Sequence, residues 1–318
     1  MPLGEGAEFD RIRLISDALG ADAGDLGDDC AVLPVGQTNV VVSTDASVEH
    51  VHFERAWLGL EEIGFRATAA ALSDLASQGA KARGVLLAVV APEASSAADL
   101  ASVMRGAGAA ARASGTQVVG GDLSRGGAWM LCATVIGVAD TPVARRGAIA
   151  GDGVWVTGTL GGARAALEAF REGREPEREA HTRFATPSPR IVEGQWLAAH
   201  GAHAMLDLSD GIASDAGHLA AASGVEVEIV LEQLPLHPSA VVAALAARAE
   251  PVIYAAKGGE DYELLVALPS SFCDDGARMF ERETGLTLTR VGTCHHGRGV
   301  RLMFRGSRLT LTGFNHFS

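Results

Sequence analysis

The stretch "NVVVSTDASVEHVHFERAWLGLEEIGFRATAAALSDLASQGAKARGVLLAVVA" (residues 39–91) contains two short apolar runs separated by a long alanine-rich segment. "NVVVSTD" and "GVLLAVVA" are β-branched or apolar and are bounded by turn residues, which is typical of well-buried strands. "LEEIGFRATAAALSDLASQGA" is long enough for a helix, and Gly79 suits its C-terminal cap. This strand–helix–strand order predicts a layered arrangement of helices and sheets.

The segments around this stretch continue the same alternation. "EFDRIRLISDAL" places Phe9, Ile12, Ile15 and Leu19 near one helical face, which predicts an opening amphipathic helix. Downstream, "AADLASVMRGAGAAARASG" predicts a helix ending at Gly115, and "TQVVGGD" and "WMLCATVIGVA" predict two more strands.

A segment rich in proline, glycine and small residues, "DTPVARRGAIAGD" (residues 140–152), is the best candidate for a domain junction. We therefore predict two domains, residues 1–141 and 142–318. The second half predicts further helices, a polar loop at "REGREPEREAHTR" (residues 171–183), and the strands "GVWVTG", "HAMLDLSD", "VEVEIV", "YELLVALP", "TLTRVGT" and "VRLMFR". The predicted fold class is α/β with mixed sheets, in two domains.

Composition limits the function classes. The chain has 318 residues, of which 47% are hydrophobic and 20% charged, so it can bury a large core. Lys plus Arg is 26 against 39 for Asp plus Glu, and the net charge of −13 argues against a nucleic-acid partner and against an anionic membrane surface. An anionic ligand would therefore need accompanying cations.

Neither a membrane span nor an export signal is indicated. The longest apolar run, "GVLLAVVA", is far too short to cross a bilayer, and "MPLGEGAEFD" lacks a basic-then-apolar pattern. The four cysteines are widely separated and form no zinc-type ladder, which predicts free thiols. We expect a cytoplasmic protein.

Five short motifs place acidic residues beside glycine or other small residues: "LGDDCAVL", "VVSTDASVEH", "VVGGDLSRG", "MLDLSDGIASD" and "GGEDYELL". Asp45, Asp122, Asp207 and Asp210 are predicted at or just after strand ends, where side chains converge at one edge of a sheet. A single aspartate of this kind is ordinarily a turn former or a helix N-cap. Five such motifs together favour a shared site.

Asp74 is the acid least suited to an exposed position. It lies in "AAALSDLASQGA" between apolar neighbours, and a buried carboxylate without a partner is costly. A cation is the partner that we infer. Because the candidate ligands are all oxygen donors, with no Cys or His cluster, Mg²⁺ is favoured over zinc or copper, and Mg²⁺ usually accompanies phosphate.

Several phosphate and metal motifs are missing. No Walker loop occurs, which disfavours an ordinary P-loop kinase, and "GDLGDDCAVL" does not match an EF-hand. "STDAS" lacks the second aspartate of a haloacid-type phosphatase. A metal-dependent phosphohydrolase of another kind and a non-catalytic Mg²⁺–nucleotide binding module remain open at this point.

Eight motifs in order give the chain a specific resemblance. "GEGAEFDRI", "GDDCAVL", "STDASVEHVHF", "LSDLASQGA", "VGGDLSRG", "DLSDGIASD", "GGEDYELL" and "GFNHF" extend from about Gly4 to Phe317. Together they resemble the bacterial thiamine-monophosphate kinase family, which belongs to the aminoimidazole-ribonucleotide-synthetase-like superfamily of ATP-using proteins.

The resemblance implies ATP-dependent phosphorylation of thiamine monophosphate to thiamine diphosphate. It also implies two α/β domains and a homodimer in which the first domain's sheet pairs across the interface. The implied metal ligands are Asp29, Ser43, Thr44, Asp45, Asp74, Asp122, Asp207 and Asp210. The implied ATP contacts are Gly121, Asp122, Arg145 and Ser209, and the implied substrate contacts are His52, Glu260 and Phe314.

The chain departs from the family pattern at three places: His50 replaces a glycine, Leu123 replaces a threonine, and Phe314–Asn315 replaces Tyr-Asp. None of these changes falls on an acidic residue of the five motifs. Within the superfamily, a purine-pathway synthetase or a selenophosphate synthetase is the alternative. The latter ordinarily carries a reactive Cys or selenocysteine in an N-terminal glycine-rich loop, which has no counterpart here.

The chemistry of this reaction can be predicted from charge. A phosphate monoester has a second pKa of ~6, so the acceptor is mostly dianionic at neutral pH and needs no base. The obstacle is bringing that dianion onto a polyanionic nucleotide, which requires charge neutralisation and in-line positioning. We therefore predict Mg²⁺-assisted transfer without a dedicated general base.

Overall fold

The computed structural model describes residues 7–24 and 26–311, with side chains from residue 10 onward. Its first half begins with helix α1 and contains five strands and two longer helices. Their bounds are α1 Ala7–Leu19, β1 Ala31–Val35, β2 Thr38–Val48, α2 Leu60–Ser77, β3 Lys81–Pro92, α3 Ala97–Ala113, β4 Val118–Gly126 and β5 Met130–Ala139.

The second half alternates shorter elements. Their bounds are β6 Gly153–Thr157, α4 Gly162–Arg171, α5 Arg178–Ala185, α6 Ile191–Ala199, β7 Ala204–Asp207, α7 Ile212–Ser223, β8 Glu226–Val230, α8 Pro238–Ala246, α9 Pro251–Ala256, β9 Leu264–Leu268, α10 Asp274–Thr284, β10 Leu288–His295, β11 Gly299–Phe304 and β12 Ser307–Leu309. Short 3-10 turns follow α1 and β8.

Two mixed sheets organise these elements. The first has the order β1-β2-β5-β3-β4, with β3 and β4 parallel and the other pairs antiparallel. The second has the order β12-β11-β8-β10-β6-β9-β7, with one parallel pair, β11 and β8. The predicted fold class, α/β with mixed sheets, is confirmed.

Helix α2 is the central support of the molecule. Most of its residues are buried, and it contacts α3 and the first sheet as well as α6 and β7 of the second half. Glycines allow these close contacts: a Cβ on Gly106 of α3 would lie 1.8 Å from the carbonyl oxygen of Glu61, and one on Gly194 of α6 would lie 2.0 Å from that of Ala76. The side chains of α2 are therefore held rigidly between the two sheets.

Most predicted elements are confirmed, including the opening helix, the long helix ended by Gly79 (φ 63°) and the apolar strands. The polar loop expected at residues 171–183 is wrong in part, because α5 begins at Arg178. That helix buries only Ala180, Phe184 and Ala185, so most of its apolar face lies beyond the polar run.

Two acidic residues do not lie where their motifs indicated. Asp45 lies inside β2, and Asp122 lies inside β4, because both strands continue past the glycine- or serine-containing motif. The expectation of strand ends is wrong for these two residues. It is confirmed for Asp207, the last residue of β7, and for Asp210 in the loop that follows.

The two faces of the first sheet differ. One face packs on α2 through residues such as Ala133 and Leu87. Asp45 pairs with Ala133 and therefore lies on this same face. The opposite face, which we call the open face, carries Val42, Thr44, Thr134, Ile136 and Leu86, none of them fully buried.

Other expectations concern cysteines and membrane spans. Cys30, Cys132, Cys273 and Cys294 are free thiols, as predicted. Among residues 7–24 and 26–311, no helix combines the length and apolarity that crossing a bilayer requires.

Candidate active site

A cavity of about 1030 Å³ lies between the two halves of the molecule. Its wall is formed by β2, α2, α4, the segment 26–29, the loop after β7 and the loop before β9. Of the predicted site residues, eleven line it: Asp29, Ser43, Thr44, Asp45, His52, Asp74, Arg145, Asp207, Ser209, Asp210 and Glu260.

Three carboxylates converge on this wall from distant segments. Asp29, Asp74 and Asp207 each offer an oxygen, and these oxygens lie within 4.8 Å of one another. Asp74 projects from the rigid helix α2, and its Oδ2 accepts a 2.5 Å hydrogen bond from the Ser43 hydroxyl of β2. We call these three residues the carboxylate cluster.

The carboxylate cluster is electrostatically unfavourable as it stands. Burial raises the pKa of Asp74 well above its usual range, and the charges of Asp207 and Asp29 raise it further. Burial and Asp29 raise the pKa of Asp207 to about 7. The side chain of Asp29 is 1% exposed, and its Oδ2 is buried without a hydrogen-bond partner among the described residues. Such a set of oxygen donors fits a hard divalent cation.

Arg145 is the cation that the chain itself supplies here. Its guanidinium forms an ion pair with Asp29, and its Nε donates to Asp29 Oδ1 at 2.7 Å. The neighbouring Asp28 accepts hydrogen bonds from Gln78 (3.0 Å) and from the backbone N–H of Arg145 (3.2 Å). Asp28 therefore fixes the loop that carries Asp29.

A second group of ligand atoms combines the predicted Asp210 with two residues that the sequence predictions missed. Asp210, Asp215 and His218 each offer one atom within 4.8 Å of the others. Asp215 accepts the backbone N–H groups of Asp210 (3.2 Å) and Gly211 (3.0 Å). Burial and then Arg145 lower the pKa of His218 to about 3, so its imidazole is neutral. Asp215 and His218 are three residues apart on α7 and therefore lie on the same helix face. This spacing was the sequence signal that could have identified them.

The acids of "GGEDYELL" have different functions. Glu260 lines the cavity and pairs with Arg66 of α2. Asp261 is 3% exposed and accepts the backbone N–H of Gly161 at 2.7 Å, so it fixes the start of α4. Of the two acids, the predicted substrate contact Glu260 faces the cavity, and Asp261 has a structural role.

The backbone of this turn is held in an uncommon conformation. Glu260 (φ 66°) and Tyr262 (φ 51°) lie in the left-handed region. The Glu260 N–H donates to the Ser209 carbonyl at 2.7 Å, and a Cβ on Gly259 would lie 2.4 Å from that same oxygen. The turn is thus fastened to the loop after β7, and strain of this kind is typical of functional loops.

Glu263, which follows Tyr262, anchors the same turn in the protein interior. It is fully buried, with Arg190 donating to both carboxylate oxygens (2.8 and 2.6 Å), Arg183 at 2.8 Å and the Thr157 hydroxyl at 2.7 Å. Burial raises the pKa of Glu263, but Arg190 and Arg183 outweigh it, and the net pKa lies below 4.5.

We expect Glu263→Gln to lower the free energy of unfolding by about 3 kcal/mol, because two buried guanidinium groups lose their counter-charge. Urea denaturation measures this. Glu172→Gln, which changes an exposed pair with Arg174, is the matched control and should change stability by under about 1 kcal/mol. Because the folded pKa of Glu263 is lowered, its contribution is present above pH 4.5 and is lost as the pH falls. Equal stability of wild type and Glu263→Gln at neutral pH would contradict this role.

The remaining predicted residues lie elsewhere. Gly121 and Asp122 lie on the exposed edge strand β4 and do not line the cavity. Asp122 pairs with Ala88 of β3, so its side chain lies on the open face. Strand β4 is three strand spacings, or about 14 Å, from β2. The role of Asp122 as a metal or ATP ligand stays a prediction. Phe314 lies outside the described residues.

His52 follows β2 and is half-buried on the cavity wall. Its Nδ1 accepts the backbone N–H of Val48 at 3.1 Å, so Nε2 carries the proton of a neutral ring. His50, where the chain departs from the family pattern, is exposed and pairs with Glu54 at 2.8 Å. That contact is local to the turn after β2.

Comparisons with known proteins agree on one family. The family model for AIR synthase related protein matches in two parts, its N-terminal domain at residues 27–139 and its C-terminal domain at residues 150–304. The thiamine-monophosphate kinase of Aquifex aeolicus (strain VF5) is 32% identical over 322 residues, 100% of each chain. That of Mycobacterium tuberculosis (strain ATCC 25618 / H37Rv) is 35% identical over 242 residues, 75% of this chain and 73% of the relative.

A solved structure has the same architecture. It is described as "AaThiL complexed with AMPPCP and TMP" and superposes with a TM-score of 0.88 at 30% identity, covering 98% of this chain and 97% of the other. The similarity therefore includes both sheets.

Proposed function

The chain belongs to the AIR synthase related family and, within it, to the thiamine-monophosphate kinases, and from this premise we propose how its cavity performs the reaction. The family's activity is ATP-dependent phosphorylation of thiamine monophosphate to thiamine diphosphate, and the chain is a kinase of that kind. We propose that donor and acceptor phosphates meet at the carboxylate cluster, with the assistance of Mg²⁺.

The observation that carries this proposal is the convergence of Asp29, Asp74 and Asp207 within 4.8 Å on the cavity wall. The buried Asp29 Oδ2 and the raised pKa values of Asp74 and Asp207 both call for a positive partner. Mg²⁺ held there would neutralise the charge of the phosphates. Asp45 and Ser43 on β2 and Asp210 after β7 would add oxygen ligands around the cluster, and Ser209 would contact ATP.

The chain's own residues orient the reactants. Ser43 fixes the carboxylate of Asp74 by donating to it, and Arg145 fixes that of Asp29. The same guanidinium places a permanent positive charge beside the phosphate position, in agreement with its predicted contact with ATP. Because the acceptor phosphate is already a dianion, no side chain has to remove a proton, and positioning is the main requirement.

Assay of purified protein with ATP, Mg²⁺ and thiamine monophosphate tests the proposal, with ³¹P NMR identifying the products. We expect equal amounts of ADP and thiamine diphosphate. Release of inorganic phosphate without thiamine diphosphate would indicate a phosphohydrolase, and ATP binding without turnover would indicate a binding module.

A homodimer through the first sheet belongs to the same proposal. The open face carries Val42, Ile136 and Leu86, and the neighbouring edge strand β4 exposes Val119 (55%) beside them. An apolar sheet face of this extent indicates a protein partner. A second copy fits because the face contains no charged residue on its central strands except at the ends.

We expect wild-type protein to sediment as a dimer at micromolar concentration. Leu86→Lys, which places a charge on the open face, should raise the dimer dissociation constant at least about tenfold, because the ammonium group would be desolvated. Met104→Lys changes an apolar residue of similar exposure on α3 (38% against 37% for Leu86) and should leave the dimer intact. A wild-type monomer would contradict the interface.

The predicted cytoplasmic location and the domain boundary between residues 141 and 142 are part of this proposal too. Free thiols and the use of ATP support the location. The change from the first sheet to the second across residues 140–152 supports the boundary.

A further inference from the structure

One part of the cavity wall is chemically unlike the carboxylate cluster. It is formed by Trp57, Phe53, Leu167, Ile12 and Ile15. Of these, Phe53 is buried in the core, whereas Trp57 is half-buried and reaches the cavity. We call this part the apolar wall.

Trp57 is held firmly in place. It lies between β2 and α2, and its backbone N–H donates to the Glu54 carbonyl at 3.0 Å. Its indole stacks on Phe170 of α4, with ring centroids 5.5 Å apart and ring planes within 9° of parallel. The ring is thus positioned by contacts from both halves of the molecule.

A chain of contacts connects Trp57 with Glu260. Glu260 pairs with Arg66, whose guanidinium carbon lies 4.0 Å from the centre of the Phe184 ring. The Phe184 ring lies 5.7 Å from that of Phe170, which stacks on Trp57. Trp57 and Glu260 both line the cavity and are connected through these packed side chains.

We propose that Trp57 is the platform for the ring system of thiamine and so determines acceptor specificity; the inference rests on the proposed function. A thiazolium ring is flat, aromatic and positively charged. Trp offers the most favourable face for a cation among the aromatic side chains, and stacking adds to this. Glu260, which pairs with Arg66 through one carboxylate oxygen, places an acidic group in the same cavity, where it favours a cationic ring over a neutral one.

The adenine of ATP is the other flat ring in the reaction, and the structure favours it less. Gly121 and Asp122, implied as nucleotide contacts, lie on β4 outside the cavity, and Ser209 lies beside the carboxylate cluster. Adenine on Trp57 would gain stacking but no interaction between a cation and the indole.

The chain allows a direct spectroscopic test, because Trp57 alone of its four tryptophans lines the cavity. Trp129, Trp155 and Trp196 are 5%, 2% and 9% exposed. We expect thiamine monophosphate to quench the intrinsic fluorescence of the wild type saturably. Trp57→Phe should lose most of this quench, and the matched control Trp129→Phe should keep it.

Kinetics provide the second readout. Trp57→Ala should raise the KM for thiamine monophosphate about tenfold and Trp57→Phe about threefold, while the KM for ATP changes by under about twofold. Thermal melts of both variants show whether the fold is kept, and Trp57→Phe preserves an aromatic stack on Phe170 if Trp57→Ala does not fold.

Two results would overturn the inference: a quench by thiamine monophosphate that survives in Trp57→Phe, or a rise in the KM for ATP instead of that for thiamine monophosphate. The second result would assign the platform to adenine. The same assay measures turnover by the wild type. If the inference about Trp57 is wrong, the wild type still phosphorylates thiamine monophosphate. If the proposed function is wrong, the wild type shows no such turnover.

Discussion

Asp74→Asn is expected to lower kcat by about 10²–10³-fold while the protein stays folded. The substitution keeps the volume of the side chain and lets Ser43 still donate to an oxygen, but it removes one negative charge from the carboxylate cluster. The loss of one preorganised electrostatic contact in an active site typically has this size. Steady-state kinetics at saturating ATP, thiamine monophosphate and Mg²⁺ measure it.

The same variant should be at least as stable as the wild type when no divalent cation is present. Burial and the neighbours Asp207 and Asp29 disfavour the ionised form of Asp74, so removing its charge relieves repulsion. The control Asp275→Asn makes the same chemical change at an exposed residue of α10 and should leave both kcat and stability unaltered. A near-normal rate for Asp74→Asn at saturating Mg²⁺ would show that the cluster is not part of the catalytic site.

The second large effect concerns the acceptor. We expect kcat/KM for free thiamine to be at least about 10³-fold below that for thiamine monophosphate. Thiamine offers the same rings to Trp57 but only a neutral hydroxyl to the carboxylate cluster, and a hydroxyl needs a base to become a nucleophile. Thiamine should act at best as a weak competitive inhibitor.

The pH dependence separates this explanation from a hidden base. With thiamine monophosphate, activity should rise as the acceptor phosphate ionises with a pKa of ~6 and then stay level. Comparable rates on the two acceptors would indicate that a base has been overlooked, and His218 and Asp215 are the buried titratable groups next to Asp210 to inspect first.

The fold was predictable where hydrophobic runs are long and bounded by turn residues. The strands "GVLLAVVA" and "WMLCATVIGVA" and the helix α2 followed from composition, length and bounding residues. Strand β1 was not foreseen, because "AVLPV" is short, exposed and contains Pro34, which ordinarily argues against a strand interior. It is found at the edge of the sheet, where proline is tolerated.

The site was predictable as a set of residues but not as an arrangement. Sequence order cannot show that Asp29, Asp74 and Asp207 meet, since their segments are joined only by the packing of α2 between the sheets. Sequence order also could not show that the adjacent residues Glu260 and Asp261 have different roles. Glu260 faces the cavity, whereas Asp261 faces the N-terminus of α4. Trp57 carried no motif at all, and its position became clear only from its stack with Phe170.

Counting bound Mn²⁺, used in place of Mg²⁺, by electron paramagnetic resonance tests the central claim most directly. The measurement compares wild type, Asp74→Asn and Asp275→Asn in the presence of AMPPCP and thiamine monophosphate. If the carboxylate cluster holds the divalent cation, Asp74→Asn should bind at least one Mn²⁺ fewer than wild type, or bind it at least about tenfold more weakly, and Asp275→Asn should match the wild type. Equal number and affinity of bound Mn²⁺ in wild type and Asp74→Asn would contradict the account.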